Sequence, residues 1–108
     1  MEVLGSNPSA PTINPAMNQT ERIHVLYSGN VQGVGFRFIT ERIARGMALT
    51  GFVRNLSNGN VEIVCEGSKT RLEEFLGSIN ENMRGYIGDS RVKWEPSRGE
   101  FSTFEIRF

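Results

Sequence analysis

The chain has 108 residues, enough for one domain, and its 12 basic and 12 acidic side chains give a formal net charge of zero. This balance disfavours a protein that binds nucleic acid mainly by neutralising phosphates. The sequence contains no run of about 18 apolar residues, so it predicts no membrane-spanning helix. A single Cys and a single His exclude an internal disulfide and a zinc site of thiolates and imidazoles. The chemistry must therefore come from carboxylates, Arg, Asn, hydroxyls or main-chain amides.

The start of the chain differs in composition from the rest. It is dominated by Asn, Ser and Pro, and it shows neither helical nor strand periodicity. This composition is typical of disorder, so we predict a disordered N-terminal tail over residues 1–20 and a folded domain over residues 21–108. The tail lacks the basic and apolar regions of a secretory signal peptide. An alternative interpretation is that the tail is an upstream extension and that the native chain starts at Met17.

Hydrophobic periodicity divides the domain into strands and helices. Alternation of apolar and polar residues predicts strands, and apolar residues three and four apart predict helices. The turn signal Ser57-Asn58-Gly59 predicts a hairpin. The predicted elements, with approximate bounds, follow in chain order: strand 22–29, helix 36–48, strand 51–56, strand 60–66, helix 69–80, loop 80–90, a strand around 92–94 interrupted at 96–99, and a last strand ending at 108.

The order β-α-β-β-α-β, with an extra or broken terminal strand, predicts an α+β fold. We expect a two-layer ferredoxin-like sandwich, in which an antiparallel sheet carries both helices on one face. The periodicity assigns Phe75, Trp94 and Phe104 to the core and makes Cys65 a buried small hydrophobe rather than a nucleophile. His24 falls on the opposite face of the first strand and is predicted to be a surface residue.

The segment from Gly29 to Arg37, Gly-Asn-Val-Gln-Gly-Val-Gly-Phe-Arg, joins the first strand to the first helix. It fits neither the Walker phosphate motif nor the dinucleotide fingerprint, because Val34 and Phe38 stand where those motifs require glycine. Glycines nevertheless allow a loop to turn its N–H groups inward, and a helix N-terminus adds unpaired donors. Arg37 can offer a planar fork to two phosphate oxygens. The segment indicates either an anion site or a simple tight turn.

This nonapeptide resembles the acylphosphatase signature Gly-x-Val-Gln-Gly-Val-x-Phe/Tyr-Arg at every specified position. A second block, Gly51-Phe-Val-Arg-Asn55 followed by Asn58-Gly-Asn-Val61, resembles the family pattern Gly-Trp/Phe-Val-x-Asn, two residues, Asp/Asn-Gly-x-Val. The chain departs from the family where Met83–Gly88 replaces a common Gly-Pro pair, and where Asn58 replaces the more usual Asp.

The resemblance implies the hydrolysis of an acyl phosphate to a carboxylate and phosphate, with no metal and no other cofactor. It implies that Arg37 and Asn55 are catalytic. It also implies a phosphate-binding loop that uses main-chain amides, formed by Gln32, Gly33, Val34, Gly35, Phe36 and Arg37. The implied partner is a small-molecule acyl phosphate, with no nucleic acid and no membrane. The neutral, disulfide-free chain suggests a cytoplasmic monomer.

Two other functions fit parts of the sequence. Acylphosphatase-like domains also occur within larger proteins that process carbamoyl phosphate in hydrogenase maturation, so the chain could be a non-catalytic or weakly catalytic module that binds acyl or carbamoyl phosphate. RNA-recognition motifs share the predicted element order, but they present aromatic residues on the third strand, where Asn60–Glu66 has none. Asn55, close to a turn, also has a purely structural interpretation as an organiser of that turn.

Overall fold

The computed structural model describes residues 20–108, so the predicted tail lies outside the described residues except for Thr20, which begins the first strand. The described part contains β1 (Thr20–Gly29), α1 (Phe36–Gly46), β2 (Thr50–Asn55), β3 (Val61–Ser68), α2 (Lys69–Asn82), β4 (Ile87–Pro96) and β5 (Phe104–Arg107). The predicted loop over 80–90 is wrong, because α2 continues to Asn82 and β4 begins at Ile87. The first half of β4 is exposed on both faces, so it lacks the alternation that would have marked a strand.

The five strands form one sheet in the order β4-β1-β3-β2-β5. The first four strands of this order pair antiparallel, as predicted, but β5 pairs parallel to β2, so the sheet is mixed. The direction of β5 follows from the path of the chain. β4 runs opposite to β2, and the segment 97–103 crosses to the far edge of the sheet. A chain that turns back there runs in the same direction as β2.

Both helices lie on one face of the sheet and contact each other, which gives the predicted two-layer sandwich. Between the layers is a core whose side chains are at most 2% exposed; it includes Ile23, Val25, Tyr27, Phe36, Ile63, Cys65, Phe75, Ile79 and Phe104. The core prediction is confirmed for Phe75, Cys65 and Phe104. It is wrong for Trp94, which is 38% exposed. Trp94 shares the helix side of the sheet with its partner Ile23, but edge strand β4 lies beyond the cover of the helices.

On the opposite face, Glu66 holds the segment that connects β4 to β5. Its buried carboxylate accepts hydrogen bonds from Arg22 Nε at 2.8 Å, Ser97 Oγ at 2.9 Å and the main-chain N–H groups of Arg98 and Gly99 at 2.9 and 3.1 Å. Burial alone would raise the pKa of Glu66, but these donors outweigh it and hold the pKa below its ordinary value. The hydrogen bonds fix the path of the chain toward β5.

His24 also lies on this face and is partly exposed, as predicted, but it has a partner. Its Nε2 atom is 2.7 Å from Oε2 of Glu62, the carboxylate that also accepts a hydrogen bond from Arg54 Nε at 2.6 Å. Burial alone would raise the pKa of Glu62, but the hydrogen bonds with His24 and Arg54 outweigh it, so the pKa lies below its ordinary value. His24 therefore belongs to a cross-strand network on the face away from the helices.

Candidate active site

The ends of β1 and β2 lie at the same edge of the sheet. Val61, the first residue of β3, pairs with Tyr27 of β1 on one side and with Asn55 of β2 on the other. Two strand spacings, roughly 10 Å, therefore separate the two ends. Residues two apart in a strand project to the same face, so Asn55 shares the helix face with the fully buried Val53. The topology thus brings Asn55 to the edge and the face where the β1–α1 loop begins α1.

The β1–α1 loop, residues 30–35, contains a row of N–H donors that have no main-chain partner among residues 20–108. Gly33 and Gly35 adopt left-handed backbone conformations with φ of 78° and 81°. Residues with a Cβ atom rarely adopt this conformation. Within the described part of the chain, the N–H groups of residues 31–35 donate to no main-chain carbonyl. Gly35 is the N-cap of α1 and offers no side-chain cap, so the first N–H groups of the helix are also free. The loop and the helix start together form a nest suited to an anion.

Arg37 adds a full positive charge to this N-terminus. The first turn of α1 contains no acidic residue, so the helix dipole and the guanidinium repel each other in the free protein. Among residues 20–108 the guanidinium of Arg37 has no carboxylate partner, and its contact is with the ring of Phe108, 4.9 Å from the ring centroid. By contrast, the N-terminus of α2 is capped by Ser68, which accepts a hydrogen bond from the N–H of Arg71. A bound anion would satisfy both the loop donors and Arg37.

The loop is held on one side by the turn after α2. The N–H of Asn30 donates to the carbonyl of Tyr86 at 2.9 Å. Gly29 lies so close to this turn that a Cβ atom would clash with the main-chain nitrogen of Gly88. The segment Met83–Gly88, in which the sequence departs from the family pattern, therefore supports the loop directly.

The loop is held on its other side by the side chain of Gln32. The amide Nε2 donates to the carbonyls of Leu56 and Asn60, both at 2.8 Å. The sequence predicts a contribution from Gln32 through its main-chain amide, and this side-chain contact was missed. No local sequence signal marks it, because its partners are carbonyls of a turn more than twenty residues away.

The other candidates for chemistry have structural roles. Cys65 is fully buried, and burial raises the pKa of its thiol. Glu41 and Arg45 form an ion pair one helical turn apart, at 3.4 Å. Residues 20–108 contain no group of three His, Cys, Asp or Glu side chains that could hold a metal. Over the same range, no helix is long and apolar enough to cross a membrane.

Comparisons with a family model, with curated proteins and with solved structures all identify the same family. Residues 23–106 match the Acylphosphatase family model. An acylphosphatase of Syntrophotalea carbinolica is 40% identical over 88 residues, which cover 81% of this chain and 96% of the relative. One from Methanospirillum hungatei is 46% identical over 81% of this chain and 97% of the relative. The crystal structure of acylphosphatase from Bacillus subtilis aligns with a TM-score of 0.75 and 28% identity, covering 82% of this chain and 99% of that one. The chain belongs to the acylphosphatase family.

Proposed function

We propose that this protein hydrolyses acyl phosphates through its β1–α1 loop, Arg37 and Asn55. The reaction class follows from family membership: the chain is a hydrolase that converts an acyl phosphate to a carboxylate and phosphate. The residue assignment rests on one observation. A row of N–H donors without main-chain partners among residues 31–35 leads into an uncapped helix N-terminus that carries Arg37.

The phosphoryl group of the substrate binds in the loop. The main-chain N–H groups of residues 32–37 donate to its oxygens, and Arg37 supplies a charge-assisted fork. The interaction with Arg37 also removes the repulsion between the guanidinium and the dipole of α1. Because these donors are fixed before substrate arrives, they stabilise charge in the transition state without reorganisation, and one such donor is worth about 10²–10³ in rate.

The leaving group explains why so few residues suffice. An acyl phosphate is a mixed anhydride, so cleavage of the P–O bond releases a weakly basic carboxylate that needs no strong general acid. The attacking water forms the new P–O bond in line with the departing oxygen. The protein must therefore hold the phosphoryl group, offset its charge and align the water.

Asn55 aligns the water. Its carboxamide oxygen accepts a hydrogen bond from water, and its NH₂ group donates. The amide is too weak a base to take the proton, so the proton passes to a phosphate oxygen. The position of Asn55 supports this role, because it lies at the end of β2 on the helix face of the sheet, across β3 from the start of the loop.

The alternative, a module that binds acyl or carbamoyl phosphate with little turnover, is not favoured. The chain aligns with 96% and 97% of the length of two proteins named acylphosphatase. An RNA-binding surface is equally unsupported on β3, because its residues on the face away from the helices include no aromatic side chain; they are Glu62, Val64, Glu66 and Ser68. We further propose a cytoplasmic monomer, in keeping with a chain of zero net charge and a sequence without disulfides.

The experiment is the hydrolysis of benzoyl phosphate in the presence of EDTA, with p-nitrophenyl phosphate as a substrate control. Wild type is expected to hydrolyse only the acyl phosphate. Arg37→Ala is expected to lose turnover and affinity for inorganic phosphate, and Asn55→Ala to lose turnover by about 10²–10³ while still binding phosphate. Arg42→Ala removes an exposed positive charge farther along α1 and is expected to retain activity.

Three outcomes would contradict the assignment. Near wild-type turnover by Arg37→Ala would remove the loop from the mechanism. Loss of phosphate binding by Asn55→Ala would make Asn55 a binding or structural residue. A folded wild type that binds phosphate without turnover would favour the binding module.

A further inference from the structure

Gln32 links the two halves of the proposed site through its side chain. The phosphate-binding loop follows β1, whereas Asn55 ends β2, and β3 separates the two strands. The side chain of Gln32 spans this gap and donates one N–H to the carbonyl of Leu56 and the other to the carbonyl of Asn60. We propose that Gln32 is a positioning residue, which sets the place of Asn55 relative to the bound phosphoryl group. This inference rests on the proposed function.

The two acceptors identify which end of Gln32 faces the turn. A carbonyl oxygen only accepts hydrogen bonds, so both partners require the NH₂ group and exclude the amide oxygen. Both bonds are 2.8 Å long, and the side chain is half-buried. With both protons committed, the NH₂ group of Gln32 has no donor left for a phosphate oxygen. Its side chain therefore does not bind phosphate, although its main-chain N–H is free to do so.

The acceptors are also the carbonyls that build the β2–β3 turn. The N–H of Leu56 donates to the carbonyl of Asn60 at 2.9 Å, and the N–H of Gly59 donates to the carbonyl of Leu56 at 3.2 Å. Gln32 adds a second hydrogen bond to each oxygen. Leu56 directly follows Asn55 in the chain, so the bonds from Gln32 fix the backbone beside Asn55.

Position at this point matters because the water must lie in line with the breaking P–O bond. A displacement of about 1 Å costs up to 100-fold in rate when it disturbs the alignment of reacting groups. The loop holds the phosphoryl group, and Asn55 holds the water. The hydrogen bonds of Gln32 are a direct side-chain connection between these two elements.

The test is a double-mutant cycle between Gln32→Ala and Asn55→Ala, measured with benzoyl phosphate. Gln32→Ala is expected to lower kcat about 10- to 100-fold and to leave the inhibition constant of inorganic phosphate within about 2-fold. In the Asn55→Ala background, the same change is expected to lower kcat less than about 2-fold, because the group it positions is gone. Arg71→Ala removes a side-chain hydrogen bond to the carbonyl of Met47 at the start of α2, at the opposite end of the sheet from the loop, and serves as the control.

A second, conservative variant tests the same inference if Gln32→Ala folds poorly. Gln32→Glu retains the shape but presents a carboxylate to two carbonyls, so its kcat at neutral pH is expected to be lower than that of Gln32→Ala. Protonation restores one donor, so its activity relative to wild type is expected to rise as the pH falls. A carboxylate that only repelled the bound anion would show this pH dependence in the inhibition constant of inorganic phosphate, whereas a loss of positioning shows it in kcat.

The outcomes separate this inference from the proposed function. Failure of wild type to hydrolyse benzoyl phosphate would overturn the function. The inference would then be tested by NMR, where Gln32→Ala should shift the carboxamide signals of Asn55 and the control Arg71→Ala should not. If wild type is active, any of three results overturns the inference. The first is an unchanged kcat in Gln32→Ala, and the second is an equally large fall in kcat when Gln32→Ala is combined with Asn55→Ala. The third is a Gln32→Ala variant that loses affinity for inorganic phosphate but keeps its kcat.

Discussion

The guanidinium carbon of Arg37 lies 4.9 Å from the centroid of the ring of Phe108, the last residue of the chain. The parallel pairing of β5 with β2 explains how the two meet. Arg107 pairs with Arg54, next to Asn55, so β5 ends at the same edge of the sheet as β2. The extra strand therefore brings Phe108 to the start of α1, and it does so because it runs parallel to β2.

The ring of Phe108 is expected to help hold Arg37 in place. A cation–π contact at an exposed site contributes about 0.5–1 kcal/mol, so Phe108→Ala should weaken inhibition by inorganic phosphate about 2- to 5-fold. The residue is 96% exposed, and the free energy of unfolding in urea should change by less than about 0.5 kcal/mol. Phe38→Ala removes another exposed ring and is the control. Equal phosphate affinity in all three proteins would show that the ring does not hold Arg37.

The left-handed conformation of Gly35 gives a second prediction. Apart from Gly35 and its chain neighbours, no atom of residues 20–108 lies within 4 Å of the point that a Cβ atom would occupy. Gly35→Ala should therefore cost only backbone strain, about 1–2 kcal/mol of unfolding free energy. Gly99, with φ of 66° and equally open space, is a matched control far from the loop. Both variants should show a similar loss in urea unfolding, but only Gly35→Ala should also weaken phosphate binding. Unchanged binding by folded Gly35→Ala would mean that the shape of the loop does not matter.

Sequence patterns predict the elements that have one apolar face and fail where both faces are exposed. The alternation of Ile23, Val25 and Tyr27 identifies β1 because helices cover that side. Trp94 has the same periodicity, but its burial depends on whether a helix reaches the edge strand, and the sequence contains no signal for that. The loop glycines and Arg37 are visible as a motif. The side-chain contact of Gln32 is not, because it depends on the tertiary approach of a distant turn.

The carboxylate of Glu66 predicts a pH dependence of stability. Its pKa is lowered in the folded protein, so its contribution is fully present above the ordinary carboxyl pKa of about 4.3 and is lost as the pH falls through the folded-state value. Glu66→Gln removes the charge beside Arg22 and should cost about 1–3 kcal/mol at neutral pH, measured by urea unfolding. The difference in unfolding free energy between Glu66→Gln and wild type should become smaller below about pH 4. Glu73→Gln, at an exposed position, should show neither effect. A constant difference at all pH values would mean that the Glu66 charge does not contribute.

The thiol of Cys65 should be inert in the folded protein. It is fully buried, and burial raises its pKa, so the reactive thiolate is scarce at neutral pH. Iodoacetamide should leave the hydrolysis of benzoyl phosphate unchanged and modify the thiol only after unfolding in urea. Cys65→Ala should retain kcat and lose about 1 kcal/mol of unfolding free energy from the smaller side chain. Rapid alkylation of the native protein with loss of activity would instead place Cys65 in the mechanism and would contradict its assignment to the core.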